Sequence, residues 1–428
     1  MSRRLAAIDE SRVMNDVQRQ RAVSFSLLGA YLTSEESEAS VAQGYEHLWT
    51  AATGKSVTEF VSHGTPFFWQ NVRRCLATVD QNWETIAKAA NLLLRTGFDS
   101  YFDWMPDGTT FWLDAEPGAD LVLPSLGVKI PADNQPVVVR RIGPRRFEVE
   151  LADQRIQVDL DNLDSALRLP VIDILDDEAK LLVVKDRTLF EDHYINKIAP
   201  ETSKASFLAQ MIGKSLEMIQ TADPSLASRF KRMIQWYVPI STPGPRTHDS
   251  MTVMGLQGVM FLSEAYHDIR LAEAMVHEYY HNELNLLQES QSTHEEIADE
   301  VFYSPWRPDS RPLGGLLHAL YVFSGVANFI ARAEQLPALA PYIPFLRNRR
   351  KEVISQVRLG LAQVPSNRLT SVGSYVIDLI EYEVEQQEAD LGRLQGPLPK
   401  PMAEHLAKWK AANPDLSDRV RVPDGVEV

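Results

Sequence analysis

A mostly helical α+β fold is predicted for this chain by three features. Apolar residues recur at helical intervals over residues 12–96 and 204–233, and the chain from the HExxH helix onward reads as helical almost to the end. Between 109 and 192, short β-branched runs are punctuated by Pro and Gly. A strand pattern at 255–262 leads through a short loop into a helix carrying His277-Glu278-Tyr279-Tyr280-His281. That last order, strand then HExxH helix, is the one a zincin-like core uses, here beside a separate β-rich subdomain.

The N-terminal helices rest on Val17, Val23, Leu27 and Leu28, then on Trp83, Ile86, Ala90 and Leu93. In the β-rich stretch, Val137-Val138-Val139 and Phe147-Glu148-Val149-Glu150-Leu151 read as strands, with turns at Pro117-Gly118, Pro124, Gly127, Pro131, Pro136 and Gly143-Pro144. Helical patterning returns over 204–233. Residues 235–240 read as a strand that ends in the loop Thr242-Pro243-Gly244-Pro245. The strand at 255–262 enters the HExxH helix through Tyr266-His267-Asp268, with Asp268 as its N-cap. Residues 313–333, 350–361 and 372–394 are the long helices that follow. At 428 residues the chain exceeds the size at which one core usually stops growing. Three parts are therefore expected: a helical N-terminal region (1–108), a β-rich subdomain (109–200) and a mostly helical, metal-binding catalytic domain (201–428).

Composition narrows the function. A formal net charge of −15 disfavours nucleic acid and anionic membranes, both of which need a basic surface. Cys75 is the only cysteine, so an intrachain disulfide and a thiolate-rich metal cage are excluded. Residues 1–13 lack the apolar stretch of a secretory signal, and the run at 251–262 is too short to span a bilayer. A cytoplasmic location is expected.

The HExxH pentapeptide carries the chemistry. Its i, i+4 spacing stacks His277 and His281 on one helix face, where two imidazoles can serve as neighbouring ligands of a divalent ion. Leu271, Met275, Tyr279 and Leu286 recur on the roughly opposite side and would pack the helix. A third ligand must lie downstream. The metzincin continuation is missing, because Leu284 and Leu287 stand where it needs glycine and histidine. Glu300 is one candidate, with Glu295 and Glu296 less well spaced. Thr293 and Glu296 fit a capping box, which makes this stretch the start of an exposed helix and His294 a surface residue. His318 is the better candidate, one turn inside an apolar helix opened by Pro312 and Gly314-Gly315. Arg307 and Arg311 just precede it. A guanidinium fork there could clamp an acidic cosubstrate, or simply form surface ion pairs. His248-Asp249 reads as a solvated turn, and His47, His63, His193, His267 and His405 have no partner at ligand spacing.

Over residues 255–329 the chain resembles the HExxH-type, 2-oxoglutarate-dependent peptide β-hydroxylases that modify ribosomally made peptides. The likeness is carried by Leu271-Ala272-Glu273-Ala274-Met275-Val276-His277-Glu278-Tyr279-Tyr280-His281, Ser304-Pro305-Trp306-Arg307 and Arg311-Pro312-Leu313-Gly314-Gly315-Leu316-Leu317-His318. Between the arginines the family more often has Asp-Asp-Pro, where this chain has Pro308-Asp309-Ser310. The resemblance implies that His277, His281 and His318 bind Fe(II), that 2-oxoglutarate chelates it, and that Arg311 or Arg307 receives the distal carboxylate. It implies hydroxylation at the β-carbon of a residue in a precursor peptide, with Glu278 as a supporting or acid/base group. Two rivals remain. In a zinc metallopeptidase Glu278 would be the general base. In a peptide-binding scaffold the metal site would be vestigial.

Overall fold

The computed structural model describes residues 10–33, 38–53, 55–113, 120–132, 135–152, 154–174, 179–186, 189–190, 194, 196–199, 202–242, 248–265, 267–393 and 395–427. The expected turn at Pro117-Gly118, most of the loop Thr242-Pro243-Gly244-Pro245, His193, Tyr266 and Leu394 lie outside the described residues, as do residues 1–9.

Among the described residues five helices come first: α1 (Glu10–Leu32), α2 (Ala39–Ala52), α3 (Val57–His63), α4 (Pro66–Leu76) and α5 (Trp83–Tyr101). Strands follow as β1 (Thr110–Leu113), β2 (Leu121–Leu123), β3 (Val128–Ile130), β4 (Val137–Gly143), β5 (Arg146–Leu151), β6 (Gln154–Asp159), β7 (Val171–Ile174) and β8 (Ala179–Leu182). Next are α6 (Thr202–Ala222), α7 (Pro224–Met233), β9 (Trp236–Pro239), β10 (Ser250–Met251) and β11 (Val259–Leu262). The chain continues with α8 (Asp268–Ser290), α9 (Leu313–Ala333), α10 (Ile343–Leu361), α11 (Ser371–Leu391) and α12 (Lys400–Ala412). This is an α+β chain in which helix predominates, as expected.

Two compact units emerge, and the chain passes between them more than once. One holds Ser11–Gln210 and Ile234–Glu264; the other holds Met211–Met233 and the chain from Ala265 onward. The division departs from three consecutive ranges for a physical reason. In the first unit, Phe25, Leu48, Phe68, Leu93 and Phe98 of the helices share one apolar cluster with Phe111, Val139, Phe147 and Val149 of the strands. The boundary expected at 108/109 therefore runs through a common core. An antiparallel sheet in the order β1-β4-β5-β6 covers those helices, with Phe111 opposite Val139 and Val139 opposite Val149. A second sheet of the same unit runs β10-β11-β9-β8-β7, with β9 parallel to both β11 and β8. Val17 and Leu28 are buried, but Val23 and Leu27 are 56% and 55% exposed, so only part of the expected α1 stripe packs.

The second unit is helical. α9 packs against α8, α10 and α11 and is buried around most of its circumference. Gly325 on α9 is needed for that packing, since a Cβ there would stand 2.2 Å from the Tyr280 ring of α8. α9 is long and apolar enough to cross a membrane, and 67% of its most apolar stretch is buried within the fold, as befits a core helix. It is a stronger apolar segment than the stretch at 251–262. The expected single helical run over 204–233 breaks at Asp223, whose carboxylate accepts the Leu226 N–H at 3.0 Å and starts α7. α8 begins one residue earlier than expected: His267 is the N-cap without a side-chain bond, and Asp268 occupies the first turn.

Candidate metal centre

α8 buries Leu271, Met275 and Tyr279, as its periodicity requires, while Leu286 remains partly exposed. Its other side presents His277 and His281, both half-buried. Their Nε2 atoms stand 3.2 Å apart. Two donors at ~2.1 Å from one ion and in neighbouring positions are separated by about 3.0–3.4 Å. This pair therefore fits a divalent ion without rearrangement.

His318 comes from α9, 37 residues beyond His281, and its Nδ1 lies 3.2 Å from His281 Nδ1 with the rings stacked. The three imidazoles are thus adjacent, in the order His277, His281, His318. They do not yet converge, because His281 faces His277 through Nε2 and His318 through Nδ1. Sharing one ion among all three requires a side-chain turn at His281 or His318. Glu300 lies elsewhere, 3.7 Å from Arg368 in an ion pair.

Electrostatics suit ligation. Burial, then the neighbouring His277 and His318, hold His281 well below the usual imidazole range. Burial, then His294, push His318 down to about 4. Neutral imidazoles result, the form that binds metal. All donors here are nitrogen, a set compatible with Fe(II) or zinc.

The surroundings hold the two helices together. Glu283, whose side chain is only 2% exposed, accepts hydrogen bonds from the Tyr279 hydroxyl (2.6 Å), the Tyr321 hydroxyl (2.5 Å) and Arg229 (3.0 Å). It lies two residues after His281, and Tyr321 three residues after His318. Phe323 meets the His277 ring edge-on at 4.9 Å and stacks on Trp306 at 4.8 Å. Glu278 is buried on the same helix.

The arginine segment is a closed turn. Phe302 and Arg311 exchange backbone hydrogen bonds of 2.7 and 3.0 Å. Across the turn, Asp309 faces Arg307 at 3.5 Å and Arg311 at 3.4 Å. Arg311 is the less exposed of the two, 35% against 57%, and leads directly into α9. Ser310 donates to Asn413 at 2.8 Å, and Tyr303 and His405 lie 3.0 Å apart in a hydrogen bond, which pins the turn against the C-terminal helix.

One expectation is overturned. Residues 291–300 form no helix; His294 bridges Leu369, and Thr370 donates to the Thr293 carbonyl at 3.2 Å. Gly373 permits this close approach, because a Cβ there would lie 1.8 Å from that carbonyl oxygen. His294 is consequently buried, its side chain 8% exposed, and is no surface residue. Missed in the sequence were Gln288, whose Oε1 is 2.8 Å from His318 Nε2, and Glu283. Gln288 stands seven residues after His281, two turns along the same face, a spacing that could have flagged it. Of the remaining histidines, His63 stacks on Trp104 and His267 packs edge-on against Tyr342. Asp249 exchanges bonds with Ser263 at the edge of β10.

No protein-family model matches the chain, and no curated protein is similar to it.

Proposed function

We propose that this chain is an Fe(II)- and 2-oxoglutarate-dependent oxygenase that hydroxylates the β-carbon of a residue in a ribosomally made precursor peptide. The observation that supports it most is His318 lying 3.2 Å from His281, immediately after a turn that carries two arginines. On this reading the zincin-like strand and helix order presents the HExxH pair, and His277, His281 and His318 hold the iron. Bound iron, with the cosubstrate and oxygen, supplies the oxidising chemistry.

The protein's own part is binding, orientation and exclusion of water. Arg311, with Arg307 as the more exposed alternative, exchanges Asp309 for the distal carboxylate of 2-oxoglutarate, since a guanidinium fork matches a carboxylate bidentately. Phe323 and Trp306 form an apolar wall beside His277 that keeps water from that side. Glu278, buried on the same helix, supports the histidines as an acid/base or hydrogen-bonding group. A zinc peptidase with a carboxylate as third ligand would need Glu300, which is engaged with Arg368.

The test is anaerobic loading with Fe(II), then addition of 2-oxoglutarate, oxygen and a candidate peptide. Succinate with a one-oxygen mass gain is the expected result. Peptide cleavage with zinc would support the peptidase, and peptide binding without turnover would support a scaffold.

A further inference from the structure

We infer that Gln288 is a positioning residue that keeps the His318 proton on Nε2 and leaves the Nδ1 lone pair turned toward the HExxH histidines. This deepens the reading above and rests on it for its metal consequence. The proton arrangement follows from hydrogen-bond polarity.

An amide oxygen can only accept and an amide nitrogen can only donate. Gln288 Oε1 lies 2.8 Å from His318 Nε2, so that nitrogen carries a proton. On its other side Gln288 Nε2 donates to Thr293 Oγ1 at 3.1 Å, and both ends of the amide are used. A neutral imidazole has one N–H, so His318 Nδ1 is bare and accepts from His281 Nδ1 at 3.2 Å. His281 Nε2 is then bare as well and accepts from His277 Nε2 at 3.2 Å, a proton that an ion binding between these two nitrogens displaces. One amide thereby orders the protons of three rings in sequence, leaving His281 Nε2 and the inward nitrogen of His318 as acceptors.

The position of Gln288 is fixed independently of any ligand. It sits on α8 itself, and Thr293 is held by the Thr370 N–H and by the contact with Gly373. Thr293 also shares a 3.1 Å hydrogen bond with His294 Nδ1, so a further buried ring backs the amide. A group hydrogen-bonded to the far nitrogen of a ligating imidazole commonly sets its tautomer and its basicity.

The experiment uses the full chain labelled with 15N-histidine and stripped of metal, read at pH 8 by long-range proton–nitrogen correlation, followed by titration with Co(II). Expected are His318 as the Nε2–H tautomer and His281 as the Nδ1–H tautomer. Gln288→Leu should leave both rings as tautomer mixtures and weaken Co(II) binding about 10- to 100-fold. Gln288→Glu, which retains an acceptor, should restore the tautomers and most of the affinity, and it also guards against a folding defect in the leucine variant. A proton on His318 Nδ1 in the parent chain, or unchanged tautomers in Gln288→Leu, would overturn the inference. If the tautomers are as expected and Co(II) does not bind at all, the oxygenase reading fails while the proton arrangement stands.

Discussion

The Tyr321 hydroxyl donates to Glu283 at 2.5 Å and so ties the helix that carries His318 to the helix that carries His277 and His281. Glu283 also neutralises Arg229, which lies over the Tyr279 ring. Removing one partner of a buried charged cluster leaves the other uncompensated, at a cost of about 3–5 kcal/mol. Glu283→Leu should lower stability by about that amount, and Tyr321→Phe by only about 1–2 kcal/mol. Urea denaturation of the metal-free variants measures both, and equal small losses would show that the cluster is not a clamp.

Gly325→Ala should destabilise by roughly 1–3 kcal/mol or more, because the added methyl would fall 2.2 Å from the Tyr280 ring. Tyr280→Leu in the same chain should recover part of the loss, since it withdraws the ring. A thermal melt in which the double variant is no more stable than Gly325→Ala would contradict this packing.

The pH dependence of the metal-free protein follows from the buried histidines. Burial lowers the folded-state pKa of His281 and His318 beneath the unfolded value of about 6.5, so the folded state disfavours the proton. Their contribution to stability is full above about 6.5 and is lost as pH falls, down to about 4 for His318. The urea midpoint should fall over that window, and His318→Asn should fall less steeply. Identical slopes for the two proteins would contradict a neutral, buried His318.

Glu300→Gln should leave metal affinity within about twofold of the parent, since its carboxylate is engaged with Arg368 3.7 Å away. His318→Ala should lose tight binding. Arg311→Ala should keep the metal and raise the 2-oxoglutarate concentration needed for turnover. Isothermal titration with Co(II) and succinate release separate these outcomes, and a large affinity loss in Glu300→Gln would return that residue to the ligand set.

What the sequence made legible is what repeats or is chemically singular. The 3.6-residue period located α8 and α9 closely, and His277, His281 and His318, singled out by residue type and spacing, lie side by side. The segment after α8 misled because Thr293 and Glu296 satisfy a local capping pattern. Pairing with Leu369 and the approach of Gly373 override that pattern, and neither is local. Glu283 was invisible for the same reason, its guanidinium partner lying 54 residues earlier. The shared core of the first unit was hidden because residues 1–108 and 109–200 differ in texture, whereas Phe98 and Phe147 meet only in three dimensions, 5.7 Å apart.

The most direct test of the central claim is X-ray absorption on the Fe(II)-loaded full chain, counting imidazoles bound to the metal in the parent and in His318→Ala. The account predicts three in the parent and two in the variant. Two in both would contradict it, leaving His318 as a hydrogen-bonding neighbour of His281 and the third ligand to be sought elsewhere.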